Sequence, residues 1–538
     1  QGEYTSISKA IIYFNKAQYK QKRVLEAEIL FVSYTKYCLK LHYKICKESH
    51  LHSYQIKQGL KIYLNKSSIV EIPYCTTVKD EDFYRIIDST AFINELENYC
   101  EKKQWEKAYA AASKNKPWEK SIVWNSPEHL RIISFITAKL SEATVKLKKI
   151  YSDNKERIKY IAEKKKYRME TILLRERLIE IDANNASNYS ALAYTYYLSV
   201  FELSIPGGRR DGDIIKDADW SVYYFDKALD IDSNRISDYY RKGQLLLRIL
   251  PKYLLYTNAD TSTLNQRYLK ARQYMNIGIE TLEKGVKKYE QIVENEFWKK
   301  RWKKYYVKSL YNLAYGKFSI GRVRVKIKDN EIICTEENNI YKKRMLEDGI
   351  KYIDKCIEAD SIKSGEISEI VEHNNFICGV YKTYLKGVLN LQLYIQTKNV
   401  EYKQEAWEYL HRANEVRFPL NFQRQSKIFV LEKLAFYNLF EKKYKNAIIL
   451  LEKGYIGGKN IPEYVLYTLA IGYLLNGDRG SALKITEGVL KNPKSIMLKK
   501  FEDLYEYATG KKTKIEWIQE DFEEVEQEQG QELLLEPQ

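Results

Sequence analysis

The chain has 538 residues, 44% of them hydrophobic and 30% charged, and a formal net charge of +17. No run of about 18 or more apolar residues occurs, which argues against a membrane-spanning helix. Seven cysteines (Cys38, Cys46, Cys75, Cys100, Cys334, Cys356 and Cys378) are irregularly spaced with no CxxC, which argues against a disulfide framework and a zinc site. That cysteine usage leads us to expect a reducing, cytoplasmic compartment. The chain starts at Gln1, so an exported protein whose signal peptide has been removed is the alternative.

Residues 1–90 form an irregular first region, helical in pattern over its first 60 residues, with a short hairpin expected over 60–78. From residue 91 the pattern becomes one of paired helices. In ELENYCEKKQWEKAYAAA, Leu96 and Tyr99 lie on one helix, and Ala108 follows Leu96 by twelve residues. The basic stretch KERIKYIAEKKKYR (155–168) reads as a solvated helix face. Leu192, Ala193 and Tyr196 begin another pair, whose second helix is WSVYYFDKALDIDSN with Phe225 and Ala228. Between them SIPGGRRDGD carries glycine, proline and aspartate and reads as an inserted loop, bounded at 204–216. Gly243 follows Ala228 by fifteen residues and closes this region at about 250.

The region 251–425 is more degenerate. Its segment FWKKRWKKYYVK (297–308) places Trp298, Trp302 and Tyr305 at i, i+4 and i+7, on one helix face. Lys299, Lys300, Arg301, Lys303, Lys304 and Lys308 fill most of the remainder. Two readings stay open: an aromatic stripe turned into the core with its cations in water, or rings and cations that hold a nucleic acid or an acidic partner. Leu313 and Ala314 then open a helix whose mate is MLEDGIKYIDKCIEADS, with Cys356 at a packing position. Between the two, RVRVKIKDNEIICTEE (322–337) alternates strictly and turns at Asp329-Asn330, the pattern of an inserted β-hairpin. Gly387 pairs in the same manner with Ala406, Leu410 and Ala413.

Over 426–512 the repeat is plainest. LAFYNLFEKKYKNAIILLEK (434–453) returns 35 residues later as LAIGYLLNGDRGSALKITEG, with Leu434, Ala435, Leu439 and Ala447 recurring as Leu469, Ala470, Leu474 and Ala482. A fixed period with matched small and large apolar residues marks stacked helical hairpins, none of which can bury its apolar face alone. These units resemble the tetratricopeptide repeat: Ala435 to Ala447 and Ala470 to Ala482 are both twelve apart, Tyr473 supplies the aromatic of the last first-helix, and Pro493 closes it. Asn438 departs from the aromatic in the preceding unit. The fold expected is therefore all-α, a right-handed α-solenoid of stacked helix-turn-helix repeats with inserted loops and one β-hairpin. The resemblance implies a concave surface lined mainly by first helices, with Tyr196, Asn312 and Asn438 among the candidates for contacting a partner.

Residues 513–538 form a tail. After Lys514 there is no lysine or arginine, and nine acids follow, so residues 1–514 carry +26. Ile515, Ile518, Phe522 and Val525 are spaced 3, 4 and 3 with Trp517 beside them, a pattern read as a helix to about residue 528 that either caps the last repeat or lies in the protein's own basic groove. Of the six histidines, only His50 and His52 are close, without carboxylates at ligand spacing. No GxSxG, Walker A, HExxH or GxGxxG sequence occurs, and Gly207-Gly208-Arg209-Arg210 lacks the strand and Lys-Ser of a phosphate loop. The expected function is a non-catalytic scaffold or adaptor, without metal or cofactor, that holds another protein or an acidic peptide, its own tail included. The alternatives are a nucleic-acid-associated subunit of a larger complex and a regulatory array controlling a separately encoded enzyme.

Overall fold

The computed structural model describes residues 61–65, 68–71, 92–116, 118–120, 122–142, 154–202, 211–251, 254, 264–292, 296–337, 339–360, 379–416, 427–455, 461–492 and 497–517. The chain divides into two compact units, residues 1–182 and 183–538. Expectations for residues 1–60, for the loop 203–210 and for the tail beyond Trp517 lie outside the described residues.

In the first unit, β1 (Lys61–Asn65) and β2 (Ser68–Glu71) form the antiparallel hairpin expected over 60–78. Helix α1 spans 92–101 and is followed by α2 (Trp105–Ala112), α3 (Pro127–Ser141) and α4 (Asn154–Ile181). Helix α3 starts where its residues demand: Pro127 occupies the first turn, and the Ser126 hydroxyl accepts from the His129 amide at 3.5 Å. Leu96 and Ala108, the matched pair of the sequence, are buried together with Trp118, Leu130, Ile133 and Leu174. The basic stretch of α4 is only in part a solvated face. Lys165 and Lys166 are exposed, whereas Arg168 is buried and the Lys164 ammonium donates to the Leu140 carbonyl.

The second unit is a run of helical hairpins. Helices α5 (Ala186–Glu202) and α6 (Asp211–Ile231) form the first, and α7 (Ile236–Gln244) pairs with α8 (Leu264–Gln291). Then α9 (Glu296–Gly321) pairs with α10 (Ile340–Asp360), and α11 (Gly379–Thr397) with α12 (Val400–Glu415). Helices α13 (Ile428–Phe440) and α14 (Tyr444–Tyr455), then α15 (Glu463–Leu475) and α16 (Arg479–Leu490), complete the pairs, and α17 (Leu498–Ala508) covers the end. Helix α6 begins at Asp211 and so takes up residues that the sequence assigned to a loop ending at 216. Helix α7 runs directly into a π-turn at Leu245–Ile249.

Small residues set the closeness of these pairs. A Cβ on Gly387 would lie 2.9 Å from both Cγ and the backbone nitrogen of Leu410. Ala406, Leu410 and Ala413 present the complementary stripe of α12 and are fully buried.

The odd-numbered helices also touch one another, α7 with α9, α9 with α11, α11 with α13 and α13 with α15. Their burial shows the consequence. Helix α13 buries eleven of its 13 residues, whereas α12 buries three of 16. An even-numbered helix shows a single apolar stripe, as a surface helix must. Helices α7, α11, α13 and α15 bury more than half of their residues and, with α9, form an inner row.

Between α9 and α10 the chain forms β3 (Val325–Lys328) and β4 (Glu331–Cys334), the hairpin expected from the alternation. Asp329 and Asn330 both take positive φ, 52° and 59°, as a two-residue type I′ turn requires. The tail departs from expectation. Lys514–Trp517 is not helical but a strand, β5, antiparallel to β3 in the order β4-β3-β5. Over these four residues burial alternates, Ile515 and Trp517 inward and Lys514 and Glu516 outward, and the free edge of β3 supplies the backbone partners a new helix would have had to make for itself.

Candidate binding surface

Most buried positions of the hairpin helices are apolar packing, but the inner row has chemistry of its own. Tyr240, Tyr311, Tyr384 and Tyr467 each stand three residues before the small residue of an inner helix (Gly243, Ala314, Gly387 and Ala470), and all four are buried. Tyrosine suits this place because its ring packs against the neighbouring helix while its hydroxyl still finds a partner.

Cations are interleaved with these rings. The Arg241 guanidinium lies 4.2 Å from the Tyr194 ring and 5.3 Å from that of Tyr305. Tyr305 in turn packs 5.7 Å from Tyr240 and 6.0 Å from Trp302. Trp302 stacks on Trp298 at 6.1 Å, with the Arg301 guanidinium 4.9 Å and 5.1 Å from the two rings. The result is a continuous ladder of rings and guanidinium groups, from Phe297 and Trp298 at the start of α9 to Tyr194 on α5. Its outer end is open to water: Phe297 is 66% and Trp298 39% exposed, while Trp302 falls to 8%.

Further along the row the buried charges are paired. Lys382 Nζ lies 2.6 Å from Asp360 Oδ2, and Lys433 lies 2.8 Å from Glu432, which also accepts from Thr468 at 2.7 Å. Arg248 lies over Tyr315 at 4.4 Å, and its Nη1 is 3.4 Å from Asn312 Oδ1. Burial in a medium of low polarity makes such pairs costly to break from one side.

The sequence candidates fall in different places. Tyr196 points toward α6, where it stacks on Tyr224 and Trp220, and so lies off the inner ladder. Asn312 is buried beside Arg248, and its amide donates to the Lys308 carbonyl at 2.8 Å. Asn438 is buried as well, donating 2.7 Å to the Leu434 carbonyl of its own helix. Trp298 and Arg301 are exposed on the ladder, Lys299, Lys303 and Lys304 are half-buried, and Lys308 is buried. The stretch 297–308 is thus exposed at its start and buried at its end. The sequence signal that was missed is the tyrosine register, visible only once the small residue of each helix is aligned.

The small sheet lies against the C-terminal half of the same row. Trp517 packs edge-on against Phe436 of α13 at 4.7 Å and Tyr467 of α15 at 6.1 Å. The Val323 amide donates to Gln392 Oε1 of α11 at 3.0 Å, and Gln396 Nε2 donates to the Asn339 carbonyl at 2.8 Å. Ile518, Phe522 and Val525, the rest of the expected docking stripe, lie outside the described residues.

Three thiols are described, and burial pushes two of them well up, Cys100 to about 11 and Cys356 to about 12. They are protonated at neutral pH. Among the described residues no helix is long and apolar enough to cross a membrane, and no group of three or more potential ligands is placed to hold a metal ion.

No family model matches the chain, and no curated protein matches it. Among solved structures, a human IFIT1 dimer with PPP-AAAA is similar over 88% of this chain and 93% of its own, at 12% identity and a TM-score of 0.25. Yeast Tom70 is similar over 93% and 90%, at 13% identity and 0.24. The hetero-tetramer Cut9-Hcn1 gives 88% and 83%, at 11% identity and 0.26. The fold itself is read from the helix pairing: among the described residues the second unit is an α-solenoid of stacked helical hairpins, interrupted by the β3–β4 hairpin.

Proposed function

We propose that the chain is a non-catalytic binding scaffold whose inner helices hold an extended, acidic segment of another protein. The ladder from Phe297 to Tyr194 carries this reading. At its open end Phe297, Trp298 and Arg301 offer apolar surface beside fixed positive charge, which suits a polypeptide bearing carboxylates between apolar side chains. Arg301 presents a planar guanidinium group already stacked on rings, so little side-chain freedom is lost when a carboxylate is bound. The +26 body would speed the approach of such a ligand.

A photoreactive residue in place of Phe297, with one in place of the exposed Ile340 as the control, tests this in native lysate. A cross-linked product that is polypeptide, survives nuclease and forms from position 297 alone is the expected result. A product that vanishes with nuclease would overturn it.

The same rings favour one second reading, because Trp298 and Phe297 could stack on bases while Lys299, Lys300 and Arg301 meet phosphates. Salt separates the two. Six to ten phosphate contacts would lose on the order of 10³-fold or more in affinity between 50 and 200 mM salt, and a carboxylate ligand on two or three cations far less.

A further inference from the structure

The edge of β3 and the aromatic cleft beneath it form a site in their own right. Strand β5 is remote in sequence from the hairpin and contributes only four residues, yet it is seated by three kinds of contact. Its backbone pairs with β3 in the register Val325↔Trp517, Lys326↔Glu516 and Ile327↔Ile515. Ile515 and Trp517 point inward and are 3% exposed, Trp517 filling the angle between Phe436 and Tyr467. On the outer face Glu516 stands opposite Lys326. A short strand held mainly by one edge and two side chains reads as a ligand supplied in cis, since backbone pairing gives it affinity and alternate pockets give it specificity. It is also the last described segment of the chain, so its release unravels no element that follows among the described residues.

We infer that the β3 edge, with Phe436 and Tyr467, is a strand-addition site for an extended partner segment of the pattern aliphatic–acidic–aromatic, which residues 514–517 occupy in its absence. The acidic residue is part of the specificity because Lys326 lies opposite it, and the aromatic is the anchor. This site is separate from the ladder at α9, and either could fail without the other.

The probe is a fluorescent peptide of residues 512–519, KTKIEWIQ, with a control in which its isoleucine and tryptophan at 515 and 517 are serine. Binding is followed by anisotropy against the intact chain, the full-length variant Trp517→Ala and the full-length double variant Lys326→Cys/Glu516→Cys. The anchor-less variant is expected to bind the probe at least tenfold more tightly than the intact chain, and the control peptide not at all. In the double variant, oxidation should close the site and abolish probe binding, and reduction should restore it. Equal binding to the oxidised and reduced forms, or equal binding of the two peptides, would overturn the proposal. Should Trp517→Ala lose its helical circular dichroism, the oxidised and reduced double variant alone decides the matter.

Discussion

At the scale of single residues, tight helix crossings and buried ion pairs are where small changes should be felt most. Gly387 has no room for a methyl group, because the Leu410 backbone as well as its side chain stands 2.9 Å from the Cβ position. Gly387→Ala should therefore cost about 1–3 kcal/mol as the two helices are forced apart. Gly488, on α16, has nothing within 4 Å of that position. There alanine should be neutral or stabilise by about 0.4–1 kcal/mol through its better helix propensity. Denaturant titration of the two variants side by side checks both signs. Lys382 and Asp360 offer a different test. Lys382→Met leaves the Asp360 carboxylate buried without its ammonium and should cost about 3–5 kcal/mol, most of which the further change Asp360→Leu should recover.

Acid sensitivity belongs to the same scale. Burial raises the Glu441 carboxyl, but hydrogen bonds from Lys403 and Tyr394 outweigh it and hold the group below its ordinary value. A carboxylate depressed in the folded state contributes stability that is fully present above its unfolded pKa, about 4.3, and lost as pH falls through the folded value. Glu441→Gln should remove that share of the acid limb, so the wild-type and variant stability curves should converge below about pH 4. Curves that stay parallel down to pH 3 would show that Glu441 is not coupled to folding.

At the scale of elements, the β-hairpin was legible because its residues leave little choice. Alternation over Val325–Lys328, followed by Asp-Asn and the apolar run Ile332–Cys334, fits two strands joined by a type I′ turn and no helix. Asn330→Gly should be neutral within a few tenths of a kcal/mol, whereas Asn330→Val, forced to the same positive φ, should cost about 1–3 kcal/mol. Thermal denaturation of the pair gives the comparison. The helical pairs were legible for a related reason: Ala435 and Ala447, like Ala470 and Ala482, sit twelve apart, an offset that packed hairpins explain. The C-terminal strand was not. Ile515, Ile518, Phe522 and Val525 have helical spacing, and the choice of strand for 514–517 depends on an edge offered nearly two hundred residues earlier in the chain. No local pattern carries that information. The ladder was half legible for the same cause, since Trp298 and Trp302 share one helix but Arg241 and Tyr194 reach it only through the stacking of α5, α7 and α9.

At the scale of the whole molecule, charge and sheet pairing can be separated, because the chain places them in adjacent but distinct stretches. Strand β5 ends at Trp517, and eight of the nine acids of the tail lie beyond it. A chain ending at Trp517 keeps the strand and carries +25 in place of +17. If the tail's carboxylates screen the basic body, this shortened chain should elute from immobilised heparin at distinctly higher salt than the intact one, with an unchanged melting temperature. The interaction is between exposed charges and falls off over about 8–10 Å at physiological ionic strength, so only a tail lying close to the basic surface can produce the shift. Coincident elution of the two chains would show that the tail keeps away from that surface, and that the cis-acting part of the C-terminus is confined to Lys514–Trp517.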